Sequence, residues 1–178
     1  MRDLVGYYTC VGRADPNQFM YGEPEHTLKK ILFICRANVC RSPMGQTMFD
    51  ALAEDRGLVF ETGSAGVAAL DGSSIDPKAS AALGEIGFYP KAHRARQVTA
   101  PLLEDADLVL AMSPRHIAEL HRLSGSLPRE VHLLSEYATG IPGLGGVPDP
   151  HGHAMFAYRA SARQLYEYIE RVLDRLEQ

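Results

Sequence analysis

The sequence predicts an α/β domain built on a mainly parallel sheet. Three observations carry this. From Leu28 onward, short apolar runs alternate with capped stretches of helical periodicity. Four of those runs read as strands, each separated from the next by helical sequence. The first run, Ile31-Leu32-Phe33-Ile34, passes directly into a turn, Cys35 to Ser42, and then into a helix opened by a proline. Ligands of parallel sheets sit at such strand-to-helix turns.

The elements follow in order. Leu28–Ile34 is predicted as a buried strand. Pro43–Arg56 suits a helix, with Ser42 as N-cap, Pro43 at its first position and Gly57 at its end. Leu58–Ala65 reads as the second strand. Asp76-Pro77 caps a helix that runs to Ile86 and stops at Gly87. Arg94–Val98 reads as a short extended piece and Pro101–Ala106 as a helical turn. Asp107–Met112 is the third strand, Pro114–Leu123 a helix, and Glu130–Leu134 the fourth strand. Ser135–Pro150, rich in Gly and Pro, is predicted as a loop. From His151 to the end one helix is expected, its inner face running through Ala157, Ser161, Leu165, Tyr168, Val172 and Leu176. Residues 28–178 form the predicted domain. Residues 1–27 lack apolar periodicity and read as an N-terminal extension, with docking of Tyr7 and Tyr8 as a sharper alternative to a bare surface arm.

Composition removes several function classes. A net charge of −4, with no basic run longer than two residues, gives no nucleic-acid surface. No apolar stretch approaches the roughly 18 residues that span a bilayer. Leu4–Gly12 carries Tyr7, Tyr8 and Thr9 between Asp3 and Arg13 and lacks the pattern of a secretory signal, so a cytoplasmic location is expected. Three cysteines, an odd number, do not suggest a disulfide scaffold. His151 and His153 form a His-x-His pair, but two ligands do not make a metal site.

Cys35 and Arg41 are separated by five residues across the predicted turn. A helix N-terminus and a nearby cation favour a thiolate over a thiol. The amides of Arg36, Ala37, Asn38, Val39, Cys40, Arg41 and Ser42 can converge on an oxyanion, and a guanidinium can hold two of its oxygens at once. The chemistry this suits is phosphoryl transfer to sulfur, without a metal or cofactor. The bland alternative is a buried Cys35 with Arg41 at the surface of a helix start. A leaving alkoxide or phenolate needs a proton. Asp149, between Pro148 and Pro150 after the fourth strand, is the candidate acid, with an ordinary helix cap as its alternative.

Cys35-Arg-Ala-Asn-Val-Cys-Arg-Ser-Pro43, Ser64-Ala65-Gly66, Ala92-His93-Arg94-Ala95-Arg96-Gln97, Ala111-Met112 and Asp149-Pro150 together resemble the low-molecular-weight protein tyrosine phosphatase family. The resemblance covers residues 28–178. It implies four parallel strands with helices on both faces, a phosphate-binding loop after the first strand, and hydrolysis of phosphotyrosine proteins or small aryl phosphates without a cofactor. It also implies roles. Cys35 attacks phosphorus, Arg41 binds the equatorial oxygens, and Asp149 protonates the leaving oxygen before activating water. Ser42 donates to the thiolate, Asn38, Ser64 and His93 support the loop, and Cys40 is placed to form a protective disulfide with Cys35 or to act as small packing.

Three positions depart from that pattern. His151 and Gly152 stand where an aromatic often follows Asp-Pro. Val67-Ala68-Ala69-Leu70-Asp71 lacks the aromatic often found after Ser-Ala-Gly, and Ser113 replaces an Asp or Thr. The pocket walls are therefore expected to be less aromatic, with weaker or altered selectivity for phosphotyrosine. Two rival enzymes share the fold. Thioredoxin-coupled arsenate reductase needs a downstream cysteine pair, absent from residues 41–178. Protein-arginine phosphatase has Thr where Val39 stands, so the apolar Val39 opposes it. A non-catalytic phosphate-binding or redox-sensing module is a third alternative, opposed by Cys35, Arg41 and Asp149.

Overall fold

A computed structural model describes residues 30–124 and 130–178. The predicted extension 1–27, its tyrosines, and the first two residues of the predicted first strand lie outside the described residues.

The elements run β1 (Lys30–Cys35), α1 (Arg41–Asp55), β2 (Glu61–Gly66), α2 (Pro77–Gly84), α3 (Ala100–Glu104), β3 (Leu108–Ala111), α4 (Pro114–Leu123), β4 (Glu130–Leu133), α5 (Leu134–Thr139) and α6 (Met155–Leu176). The four strands are parallel, in the order β2-β1-β3-β4. The chain steps from β1 to β2 on one side, then crosses back from β2 over β1 to β3 on the other. The turn after β1 is thus at the switch point, where neighbouring crossovers leave a crevice.

Alternation along β1 sorts its side chains between two cores. Ile31, Phe33 and Cys35 pack with α1, α2, α5 and α6. Leu32 and Ile34 pack with Val109, Ala111, Leu103 of α3 and Leu120 of α4. Helices therefore cover both faces, as a sheet of near-continuous apolar strands requires. Full burial of a side chain such as Phe33 contributes about 1.5–3 kcal/mol. No helix among the described residues is long and apolar enough to cross a membrane.

Several local boundaries differ from the sequence reading, most by one or two residues, as where α2 ends at Gly84 instead of Ile86. Helix α1 starts at Arg41, with Cys40 as N-cap and no side-chain capping bond. Ser42 lies inside the first turn, because its hydroxyl is committed to Cys35 and Asn38. Strand β2 begins at Glu61, since Leu58–Phe60 makes the connection from α1 and Leu58 donates back to Ala53 O. The expected Ser135–Pro150 loop contains most of α5, ended by Gly140 in the left-handed region at φ 69°. Helix α6 starts at Met155, four residues later than expected, after Gly152 at φ 79°. Of the predicted inner face of α6, Ser161, Leu165, Tyr168 and Val172 are buried, while Ala157 and Leu176 at its ends are half-buried.

Candidate active site

The turn between β1 and α1 is held from outside by its own carbonyls. Val67 N donates to Cys35 O, Ala68 N to Arg36 O, Leu70 N to Ala37 O, and Asp76 N to Val39 O, at 2.8–3.1 Å. His93 Nε2 donates to Asn38 O at 2.7 Å, since a carbonyl oxygen can only accept. Cys40 O accepts from Met44 N within α1. In a trans peptide the N–H points opposite to the C=O. With six successive carbonyls tied outward, the amides from Arg36 to Arg41 converge on the inner side, where an anion is stabilised. One of them is already engaged: Asn38 N donates to Cys35 Sγ at 3.3 Å.

Asn38 closes the loop. It is fully buried and has φ 56°, left-handed backbone that asparagine tolerates better than most residues. Its Nδ2 donates to Ser42 Oγ at 2.9 Å, and its Oδ1 accepts from Arg96 N at 2.9 Å. Ser42 Oγ accepts from Asn38, which directs its own hydrogen to Cys35 Sγ, 2.9 Å away. Gly66 sits against the loop because nothing larger fits: a Cβ there would lie 2.5 Å from Arg36 O.

Arg41 is 4% exposed. Its Nη1 donates to Val147 O at 3.0 Å, and its Nη2 to Asp149 Oδ2 at 2.5 Å. The segment that carries Asp149 is pinned in turn. Val147 N donates to Met112 O, and Ser161 Oγ of α6 donates to Pro148 O. Asp149 does not cap α6. Its Oδ1 instead accepts from His151 N, two residues on.

Cys35, Arg41 and Asp149 share one cavity of about 400 Å³ with Val39, Cys40, Ala68, Leu70, His151 and His153. Among the described residues that line it, the only rings are the two imidazoles. Cys35 and Cys40 are both free thiols. Burial, then the charges of Asp76, Cys35 and Asp149, push the Cys40 thiol up to about 12.

The structure thus brings together Cys35, Arg36, Ala37, Asn38, Val39, Cys40, Arg41, Ser42, His93 and Asp149. Ser64 is less direct than expected. Its hydroxyl is buried without a hydrogen-bond partner among the described residues. Its carbonyl accepts Arg96 Nε at 3.0 Å, so it touches the loop through Arg96, whose amide holds Asn38. Two residues close to the site escaped the sequence reading. Asp76 caps α2 through Lys78 N and Ala79 N, as Asp-Pro signals, but its own amide also fastens Val39. His116 is buried on α4, and its imidazole is pushed down to about 4 by burial and by the charge of Arg41. Nothing in the local sequence marks either one, because the bond from the Asp76 amide depends on pairing between distant segments and the burial of His116 on tertiary packing.

The family model for low molecular weight phosphotyrosine protein phosphatase matches residues 30–178. A protein-arginine-phosphatase of Bacillus subtilis is 36% identical over 146 residues, covering 82% of this chain and 95% of that protein. A low molecular weight protein-tyrosine-phosphatase of Streptomyces coelicolor is 36% identical over 128 residues, 68% of this chain and 77% of its own length. The crystal structure of a YwlE mutant from Bacillus subtilis superposes with a TM-score of 0.79 at 34% identity, covering 84% of this chain and 99% of that one. The outward-tied loop, the guanidinium and the carboxylate are therefore those of a chain that belongs to the low molecular weight phosphotyrosine protein phosphatase family.

Proposed function

We propose that the chain is a cysteine-dependent phosphatase that hydrolyses phosphotyrosine and other aryl phosphate monoesters through a phosphocysteine, with residues 28–178 as the catalytic unit. The observation that carries this is Cys35 Sγ at the floor of a loop whose carbonyls are all bonded outward. The substrate dianion sits on the loop amides and takes the Arg41 fork. Cys35 thiolate attacks phosphorus in line, the P–O bond breaks, and Asp149 gives its proton to the departing oxygen. Asp149 then takes a proton from water, the oxygen attacks phosphorus, and the S–P bond breaks to free phosphate and restore the thiolate. Ser42 and Asn38 steady the sulfur, and His93 and Ser64 steady the loop.

A second reading, hydrolysis of phosphoarginine, is favoured by the Bacillus subtilis relative and by a pocket wall that, among the described residues, carries no aromatic carbocycle. It is opposed by the apolar Val39 in the loop. One experiment separates them: kcat/KM on phosphotyrosine, phosphoarginine and phosphoserine peptides of one sequence, using one preparation. The proposal expects phosphotyrosine to lead. A lead by phosphoarginine replaces it with the second reading, and turnover of none, with phosphate still bound, leaves a binding module.

A further inference from the structure

His151 does not work with His153 as a pair. The carbonyl of His153 accepts from Lys78 Nζ, while the imidazole of His151 turns toward Cys40 and Asp76. Cys40 Sγ lies 3.9 Å from His151 Nδ1, and that nitrogen lies 3.9 Å from Asp76 Oδ2. All three donor atoms fall within 4.8 Å of one another. A tetrahedral ion with bonds of about 2.0–2.3 Å separates its ligand atoms by roughly 3.3–3.8 Å. Shifts of a few tenths of an ångström to about one would close the set.

Two of the three ligands are already fixed. Cys40 is buried at the N-cap of α1. The Asp76 carboxylate is held by Lys78 N and Ala79 N on one oxygen and by Tyr158 OH, at 3.2 Å, on the other. Such outer contacts orient a metal-ligating carboxylate. The remaining ligand, His151, has a side chain 54% exposed and can move to the others.

We propose that Cys40, Asp76 and His151 form a three-ligand site for a divalent cation of the Zn²⁺ class, and that filling it closes the phosphate pocket. Sulfur, imidazole nitrogen and one carboxylate oxygen suit zinc and disfavour Mg²⁺ or Ca²⁺, which take oxygen. On binding, the Cys40 S–H bond breaks, its proton leaves to solvent, and the thiolate takes the ion. No electron is transferred, and water fills the fourth position. Cys40 and His151 both line the cavity that holds Cys35, so the ion stands in its wall. It also ties the residue preceding Arg41 to the cap of α2. Zinc therefore acts as a reversible inhibitor, through the histidine that replaces an aromatic after Asp149-Pro150.

The test uses the reduced, chelator-stripped full chain. Co²⁺ titration is expected to give one equivalent of binding with a near-ultraviolet thiolate-to-metal band. Cys35→Ser, which leaves the proposed ligands intact, should keep that band. His151→Phe and Asp76→Asn should each weaken binding by at least about tenfold. Asp76→Asn also alters a helix cap, so His151→Phe, at a half-exposed position, is the decisive variant. Zn²⁺ should slow p-nitrophenyl phosphate hydrolysis in the unaltered chain, a chelator should restore it, and His151→Phe should raise the half-inhibiting concentration about tenfold. Loss of the band in Cys35→Ser would put the metal on the nucleophile and overturn the site. Unchanged affinity in His151→Phe would overturn it too, and tight binding without slower turnover would overturn closure. The cobalt band is read without catalysis, so the site stands or falls independently of the substrate.

Discussion

Arg41 and Asp149 hold each other across 108 residues of sequence, with Nη2 2.5 Å from Oδ2. The guanidinium side chain is 5% exposed and the carboxylate 43%. The cation that suits a phosphate and the acid that suits its leaving group are therefore partners before any substrate arrives. An entering dianion competes with Asp149 for the fork, and success frees the carboxylate at the cavity mouth. Binding and arming of the acid are one exchange.

Asp149→Ala removes that acid and leaves Arg41 with Val147 O. Its kcat on p-nitrophenyl phosphate is expected to fall by about 10²–10⁴. The fall should be larger on phenyl phosphate, whose leaving group needs the proton more. Steady-state kinetics over a series of aryl phosphates checks this. An equal loss across the series removes Asp149 from the acid role.

Asn38 combines strain with support. At φ 56° a side chain with Cβ costs roughly 1–2 kcal/mol unless local hydrogen bonds offset it, and Asn38 makes two through its amide. Asn38→Ala leaves Arg96 N unpaired and is expected to destabilise by roughly 2–4 kcal/mol. Asn38→Gly loses the same bonds without the steric cost and should be about 1 kcal/mol more stable than the alanine variant. Urea unfolding of the three proteins reads both differences. Glycine falling below alanine would show that the backbone relaxes out of the left-handed region.

These two sites also show what could be read from sequence. Cys35, Arg41 and Ser42 were legible because strand, turn and helix start are contiguous and the chemistry depends on their spacing. Asp149 was legible as a candidate, since it lies between two prolines after the last strand. Its tie to Arg41 was not, because that depends on how β3, through Met112 O, and α6, through Ser161, fix the segment. Ser42 looked like a helix cap because serine usually is one. Tertiary demand from Cys35 takes the hydroxyl, and the helix begins at Arg41, two residues before Pro43. The start of α6 was misplaced because His151–Ala154 carries no polar cap or apolar periodicity to mark a boundary. The two-sided sheet followed from its apolar strands, whereas α5 was hidden inside a Gly/Pro-rich stretch.

Gly66 is required by space. A Cβ at this position would stand 2.5 Å from Arg36 O and 3.0 Å from Asn38 N, both backbone atoms that cannot swing aside. Gly66→Ala should push the loop inward, at a cost of about 1–3 kcal/mol. Because the displaced atoms belong to the anion-binding turn, kcat/KM should fall at least about tenfold, with inorganic phosphate binding weakened in parallel. Phosphate inhibition constants measured beside thermal unfolding check this. Weakened stability with undiminished phosphate binding would mean that β2 yields instead of the loop.

His116 sets an acid limit on stability. Its folded value, about 4, lies below the ordinary 6.5, chiefly through burial and then through Arg41. Above pH 6.5 the imidazole is neutral in both the folded and unfolded chains, and its contribution is fully present. Between pH 6.5 and about 4 the unfolded chain takes up a proton that the folded chain refuses, so stability falls as pH falls. The slope from this one group cannot exceed about 1.4 kcal/mol per pH unit. His116→Gln deletes the titration, and its unfolding free energy should change less between pH 7 and pH 5 than that of the unaltered chain. Urea unfolding at those two pH values measures the difference directly. Parallel pH dependence in the two proteins would mean that His116 takes its proton in the fold despite the charges of Arg41 and Arg115.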